Sequence, residues 1–216
     1  MLALCTVATA QTDPNTTLTK IGRVAPKPTP PNAGATDADK LAVDFQNFKY
    51  LEPGRTSAFQ LKNGVFSGTD RATGTSRSFQ FRKTYYFDLT ADKKTEAVVH
   101  ILADTCDFCE ERSLFYAFSA IGGSPLQLFS IATGSAAKCG LKEAAFDAES
   151  IAFEVFGDCE FTDSVFRPVT EPVKDVATRI ELEWKDGKLE TKNRASLPFP
   201  EKDIAAHSRR IRFGAP

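Results

Sequence analysis

The chain is poor in histidine, methionine and tryptophan, with two, one and one of them among 216 residues. The two histidines are His100 and His207. No serine lies in the glycine-flanked strand-to-helix context of a nucleophile elbow, so a Ser-His-Asp enzyme has little support. Charge of one sign is also lacking: the formal net charge is −1, without the basic excess that a phosphate backbone demands. No apolar run approaches the ~20 residues that cross a bilayer as a helix. A phosphate-binding glycine loop with its following lysine is missing, and no internal repeat is visible. These absences argue against nucleic-acid binding, helical membrane insertion and nucleotide hydrolysis. What remains is ordinary globular composition, 42% hydrophobic, sized for one domain with extensions.

The first ten residues, Met1 to Ala10, read as the remnant of a secretory signal peptide. Ala8-Thr9-Ala10 is a small-x-small cleavage site that would leave Gln11 as the mature N-terminus, although a basic leading segment is missing. Leu2-Ala3-Leu4-Cys5 also outlines a lipoprotein box, which keeps lipid anchoring open. Residues 11–40 are polar and proline-rich. Ala25-Pro26-Lys27-Pro28-Thr29-Pro30-Pro31 removes amide donors and fixes φ, so an extended, disordered tether is expected.

Once Cys5 leaves with the signal, four cysteines remain: Cys106, Cys109, Cys139 and Cys159. An even number in an exported chain reads as disulfides, with three pairings open. Cys139–Cys159 is preferred because the two flank one apolar-rich segment and would staple its ends. Cys106 and Cys109 then pair locally or stay reduced. Cys106-Asp107-Phe108-Cys109 after an apolar strand also admits a thioredoxin-like redox pair. That reading needs a helix N-terminus to stabilise a thiolate, and the following Ser113-Leu114-Phe115-Tyr116 reads as strand. Asp107, Glu110 and Glu111 would raise thiol pKa values. A four-cysteine zinc site is the weaker alternative, since Cys139 and Cys159 do not form a second closely spaced pair.

Short apolar alternations punctuated by turns dominate the rest. The segments 41–50, 78–87, 97–103, 114–120, 126–131 and 151–156 are strand-like. Asn63-Gly64 and Asp186-Gly187 sit between apolar alternations and predict type I′ hairpin turns, because both central residues need φ > 0. Residues 67–78 read as a loop and 158–175, with Pro168 and Pro172, as irregular. The fold class expected is mainly β, with α+β as the alternative: a single antiparallel β-sheet domain with hairpins over residues 41–193. Eighteen phenylalanines supply its core. Residues 194–216 form a tail, with Ile204–Phe213 as a short helix and His207-Ser208-Arg209-Arg210-Ile211-Arg212 as a solvated basic cluster. His100, inside an apolar strand, reads as a hydrogen-bonded core residue.

One segment points to a lineage. Asp88-Leu89-Thr90-Ala91-Asp92-Lys93-Lys94-Thr95-Glu96-Ala97-Val98-Val99 resembles the Asp-Leu-Asp-Gly-Asp-Gly-Lys-x-Glu-Ala-Val-Val segment of many bacterial secreted and periplasmic proteins, some of them lipoproteins. The resemblance extends loosely to Val43–Tyr50, Lys62–Phe66, the turn at Gly122-Gly123 and Trp184–Leu189. It implies an exported β-rich domain without a known catalytic activity. Calcium requires six to eight oxygen ligands and a tight turn. Asp88, Thr90, Asp92 and Glu96 occupy the first, third, fifth and ninth positions of the acidic pattern, while Ala91 and Lys93 stand where glycines would wrap the ion. Three functional readings follow. The leading one is a non-enzymatic module with a binding or structural role in the periplasm or at the cell surface, as a cell-envelope component. A thiol-disulfide oxidoreductase using Cys106 and Cys109 is the alternative, and a calcium-stabilised module is the third.

Overall fold

A computed structural model describes residues 41–54, 57–70, 73–105, 110–121, 124–135, 138–146, 151–169 and 176–199. The segments expected as a signal remnant, a proline-rich tether and a short helix over Ile204–Phe213, together with Cys106, Cys109 and Gly122-Gly123, lie outside these residues.

Nearly all of the described chain is strand, as the apolar alternation predicts. Helix is confined, among the described residues, to one 3-10 turn at Phe45–Asn47, whose first amides are met by the Asp44 carboxylate (Gln46 N donates to Oδ1 at 3.1 Å). That cap replaces the strand expected over residues 41–50, of which only β1 (Lys49–Leu51) forms. The strands that follow are β2 (Ala58–Gln60), β3 (Val65–Thr69), β4 (Ser76–Phe87), β5 (Glu96–Thr105), β6 (Glu110–Ile121), β7 (Ser124–Ala132), β8 (Leu141–Phe146), β9 (Ile151–Phe156), β10 (Cys159–Thr162), β11 (Val165–Pro168), β12 (Val176–Lys185) and β13 (Lys188–Pro198).

They build three sheets rather than one. β1 and β2 form a two-stranded ribbon; β10-β11-β7-β6-β5-β4-β3 form a seven-stranded sheet; β13-β12-β9-β8 form a four-stranded sheet. Pairing is antiparallel except for a single parallel step, Val165 beside Ala132 between β11 and β7. The seven-stranded sheet is the middle layer. One face meets the four-stranded sheet, where Phe87, Val98, Phe115, Ala117, Phe129 and Ile131 pack against Ile151, Phe153, Val155, Ile180 and Leu182. The other face is covered by the segment before β3: Leu41, Phe45, Tyr50, Phe59 and Leu61 lie on Phe79, Val99, Ile101, Leu114, Tyr116 and Phe118. Strands β5 and β6 are therefore buried on both sides. This is why Ala97-Val98-Val99 and Leu114–Phe118 read as continuous apolar runs rather than as alternations.

Both predicted turns adopt left-handed φ: 52° and 80° at Asn63-Gly64, 51° and 80° at Asp186-Gly187. Only the second closes a long ladder, from Lys185–Lys188 to Val176–Pro198. At Asn63-Gly64 the ladder stops after a single bridge, Lys62 to Val65. From there β2 turns to β1 while β3 turns to β4, so the turn passes the chain from the covering ribbon into the main sheet. The stretch read as a loop, 67–78, belongs to β3 and β4 at its two ends. The stretch read as irregular contains the β10–β11 hairpin, whose Asp163-Ser164 turn has φ of 50° and 66°. The last strand continues to Pro198, past the boundary placed at 193.

Candidate functional site

Four groups of side chains are candidates for chemistry. The first is the acidic segment between β4 and β5. Glu96, the first residue of β5, is fully buried and its oxygens are committed. Oε2 accepts from the Leu89 amide at 2.7 Å and the Thr90 amide at 3.3 Å, and Oε1 accepts from Ser119 Oγ at 3.2 Å. Burial pushes the Glu96 carboxyl above its ordinary pKa, opposed by those donors. Asp88 Oδ2 accepts from the Lys93 amide at 2.9 Å, and Asp92 Oδ1 from the Lys94 amide at 2.9 Å. Ala91 and Lys93 take φ of 58° and 67°, the conformation glycine would adopt without strain. The loop's carboxylates bond to its own amides. Among the described residues no group of three or more His, Cys, Asp or Glu is placed to hold a metal ion.

The second group escaped the sequence reading. Glu52, which follows β1, has a fully buried carboxylate. It is bonded to Arg77 of β4 and to Arg112 Nη2 of β6 at 2.5 Å, with Ser57 Oγ at 3.4 Å. Asp70 Oδ2 lies 3.3 Å from Arg77 Nη1, and the Arg77 guanidinium stacks over Phe79 at 5.3 Å from the ring centroid. Desolvation, then the neighbouring Arg112, lowers the Arg77 pKa from its ordinary value. One carboxylate thus bridges two cations on strands either side of β5 and fastens the covering ribbon to the main sheet. A signal did exist. Continuing the period-two pattern from Leu114 and Tyr116 back to Arg112, and from Phe79 back to Arg77, puts both arginines on the covered face.

His100 forms the third group. Its ring lies parallel to Phe115 with centroids 4.5 Å apart, and Nε2 is 3.0 Å from Ser113 Oγ. Desolvation, followed by the charge of Arg82, lowers its pKa to about 4, so the ring is neutral at pH 7. Ser113 is itself buried, and its amide donates to Thr133 Oγ1 at 2.9 Å. This pair lacks what a nucleophilic dyad needs. The serine is enclosed, and among the described residues no carboxylate bonds the ring to orient it.

The fourth is the disulfide. Cys139 and Cys159 are bonded with Cα atoms 5.9 Å apart, and both are fully buried. Cys139 ends the β7–β8 connection and takes φ of 63°, and Cys159 opens β10. The bond therefore fixes the connection leading into the four-stranded sheet to an edge strand of the seven-stranded sheet. Gly134 shapes the same connection: a Cβ there would collide with the Lys138 carbonyl oxygen. Cys106 and Cys109 lie outside the described residues, but their neighbours bracket them. Thr105 pairs with Glu110 as the last rung between β5 and β6, so the Cys-x-x-Cys links two antiparallel strands.

The chain matches no protein-family model, and neither a curated protein nor a solved structure matches it significantly.

Proposed function

We propose that this chain is an exported β-rich domain that acts in the periplasm or at the cell surface as a binding or structural module, without catalysis of its own. The observation that carries this reading is the fully buried Cys139–Cys159 bond between the two large sheets. A buried disulfide at such a junction suits an oxidising compartment. The polar groups that sequence alone would nominate for chemistry are engaged in holding the fold: Glu96 caps a loop, and His100 is stacked and desolvated. The bracketing of Cys106 and Cys109 by β5 and β6 supports a second local disulfide. It weighs against the redox alternative, because a reactive cysteine is activated at a helix N-terminus. The test is the intact mass of the purified exported protein after alkylation, with and without reductant. A mature chain starting at Gln11 with no alkylatable thiol is the expected result. Free thiols at all four cysteines would overturn the reading, and free thiols at Cys106 and Cys109 alone would bring the oxidoreductase forward.

A further inference from the structure

Asn63-Gly64 passes the chain from the covering ribbon into the main sheet, and it is a reactive dipeptide as well as a turn. In an Asn-Gly pair the glycine amide nitrogen can attack the carbonyl carbon of the asparagine side chain, because glycine has no Cβ to crowd the approach. A C–N bond forms to the glycine nitrogen, which loses its proton. The carboxamide C–N bond breaks, and ammonia leaves with that proton. Water then opens the resulting succinimide at either carbonyl. The product is aspartate or isoaspartate at position 63, and isoaspartate lengthens the main chain by one carbon. Water is the only co-reactant.

The fold holds this chemistry back. Asn63 is exposed, so water reaches it, but Gly64 is buried. The Gly64 amide donates to the Gln46 carbonyl oxygen at 2.8 Å, and the Asn63 amide donates to Asn47 Oδ1 at 2.8 Å. Asn47 is itself held, its Nδ2 donating to Asp44 Oδ2 at 2.7 Å. Both acceptors belong to the 3-10 turn Phe45–Asn47, which leads into the ribbon. From the main sheet, the Phe81 amide donates to the Gly64 carbonyl oxygen at 2.7 Å. Left-handed φ at both residues, with Lys62 and Val65 exchanging backbone bonds, makes a type I′ turn. In that turn the Gly64 nitrogen lies across the Cα–C bond from the Asn63 side chain, so ring closure needs roughly half a turn about that bond. The bond from the Gly64 amide to Gln46 must break first. Asp186-Gly187 has the same left-handed φ but stands open: a Cβ at Gly187 would meet nothing within 4 Å, whereas one at Gly64 would meet Gln46 Oε1 at 3.4 Å.

We propose that Asn63 is a deamidation site gated by the covering segment: it reacts only when Phe45–Asn47 lifts from the turn, and its conversion to isoaspartate then loosens the ribbon. The longer main chain can no longer place both the residue-63 and Gly64 amides on their acceptors at Asn47 and Gln46. The step is one-way, so the modified fraction accumulates with the time the ribbon spends open.

Peptide mapping by mass spectrometry tests this on the full-length protein incubated at mildly alkaline pH. Conversion is read as the amide-to-acid mass change at position 63, with the same protein held unfolded in urea as reference. Gating predicts conversion slower by about tenfold or more in the native protein. Asn47→Ala, a change at an exposed position, removes the acceptor of the Asn63 amide and should raise the native rate about threefold or more. The isoaspartate form, separated chromatographically, should exchange its β1 and β2 amides faster than the unmodified protein while β5 and β6 stay protected. Equal rates in native and unfolded protein would overturn the gating, as would an Asn47→Ala rate no higher than that of the wild type. Absence of conversion even in urea would remove the site, and unchanged exchange in β1 and β2 would sever it from the ribbon.

Discussion

At the scale of single residues, Glu96 and His100 show how burial redirects groups that look chemical. Glu96 holds three donors. Glu96→Ala leaves them without their acceptor and should cost about 3 kcal/mol in denaturant unfolding, while Glu96→Gln keeps one acceptor and should cost less. Because the Glu96 carboxylate accepts from the loop's own amides, adding calcium or a chelator should leave the melting temperature unchanged. A rise with calcium that Asp88→Ala abolishes would restore the metal reading. His100 makes a pH prediction. Its folded pKa of about 4 lies below the ordinary imidazole value of 6.5, so between those values the unfolded chain binds more protons. Stability from this site is complete above pH 6.5 and is lost as pH falls towards 4, by about 3 kcal/mol from the linkage relation. His100→Gln should flatten the stability profile across that window in urea titrations, whereas an unchanged slope would assign the dependence to other groups. Both residues were visible in the sequence as a carboxylate and an imidazole. Their surroundings were not, because which loop amides and which β6 side chains meet them is fixed only when β5 pairs with β6.

At the scale of elements, strand identity was the most legible property and partnership the least. The apolar segments at 78–87, 97–103, 114–120, 126–131, 151–156 and 179–184 all lie in strands, since a period-two pattern and a short continuous apolar run are both local information. β8, β10 and β11 went unread. They are four to six residues long, and the Asp163-Ser164 turn lacks the glycine that marks most two-residue hairpins. The covering ribbon shows the gap most clearly. Asn63-Gly64 predicts its turn correctly, yet the ladder it should close is a single bridge, because β2 pairs with β1 and β3 with β4, while Glu52 ties the ribbon to the main sheet. Removing that carboxylate leaves Arg77 and Arg112 partly buried without their shared counter-charge, so Glu52→Ala should destabilise by about 3–5 kcal/mol. It should also raise hydrogen exchange in β1 and β2 ahead of β5 and β6. Equal loosening of all four strands would mean that the clasp serves the whole fold rather than the ribbon.

At the scale of the molecule, the layers are joined by burial and by one covalent bond. Replacing both Cys139 and Cys159 with alanine opens a link across 20 residues of sequence and should cost about 3 kcal/mol in the chain-entropy account. No loss of denaturant midpoint would mean that packing alone sets the junction. The mainly β class, the antiparallel pairing and the favoured cysteine pair were all determined by the sequence itself, because periodicity, turn chemistry and the placing of cysteines around an apolar segment are properties of short stretches of chain. Only the tertiary structure decided that there are three sheets instead of one, that β5 and β6 are covered on both faces, that Glu52 sits between two arginines, and that Glu96 turns inward to cap its own loop. Each of these depends on which distant strands become neighbours. That choice is made by the sum of many weak contacts over the whole core, and no local pattern carries it.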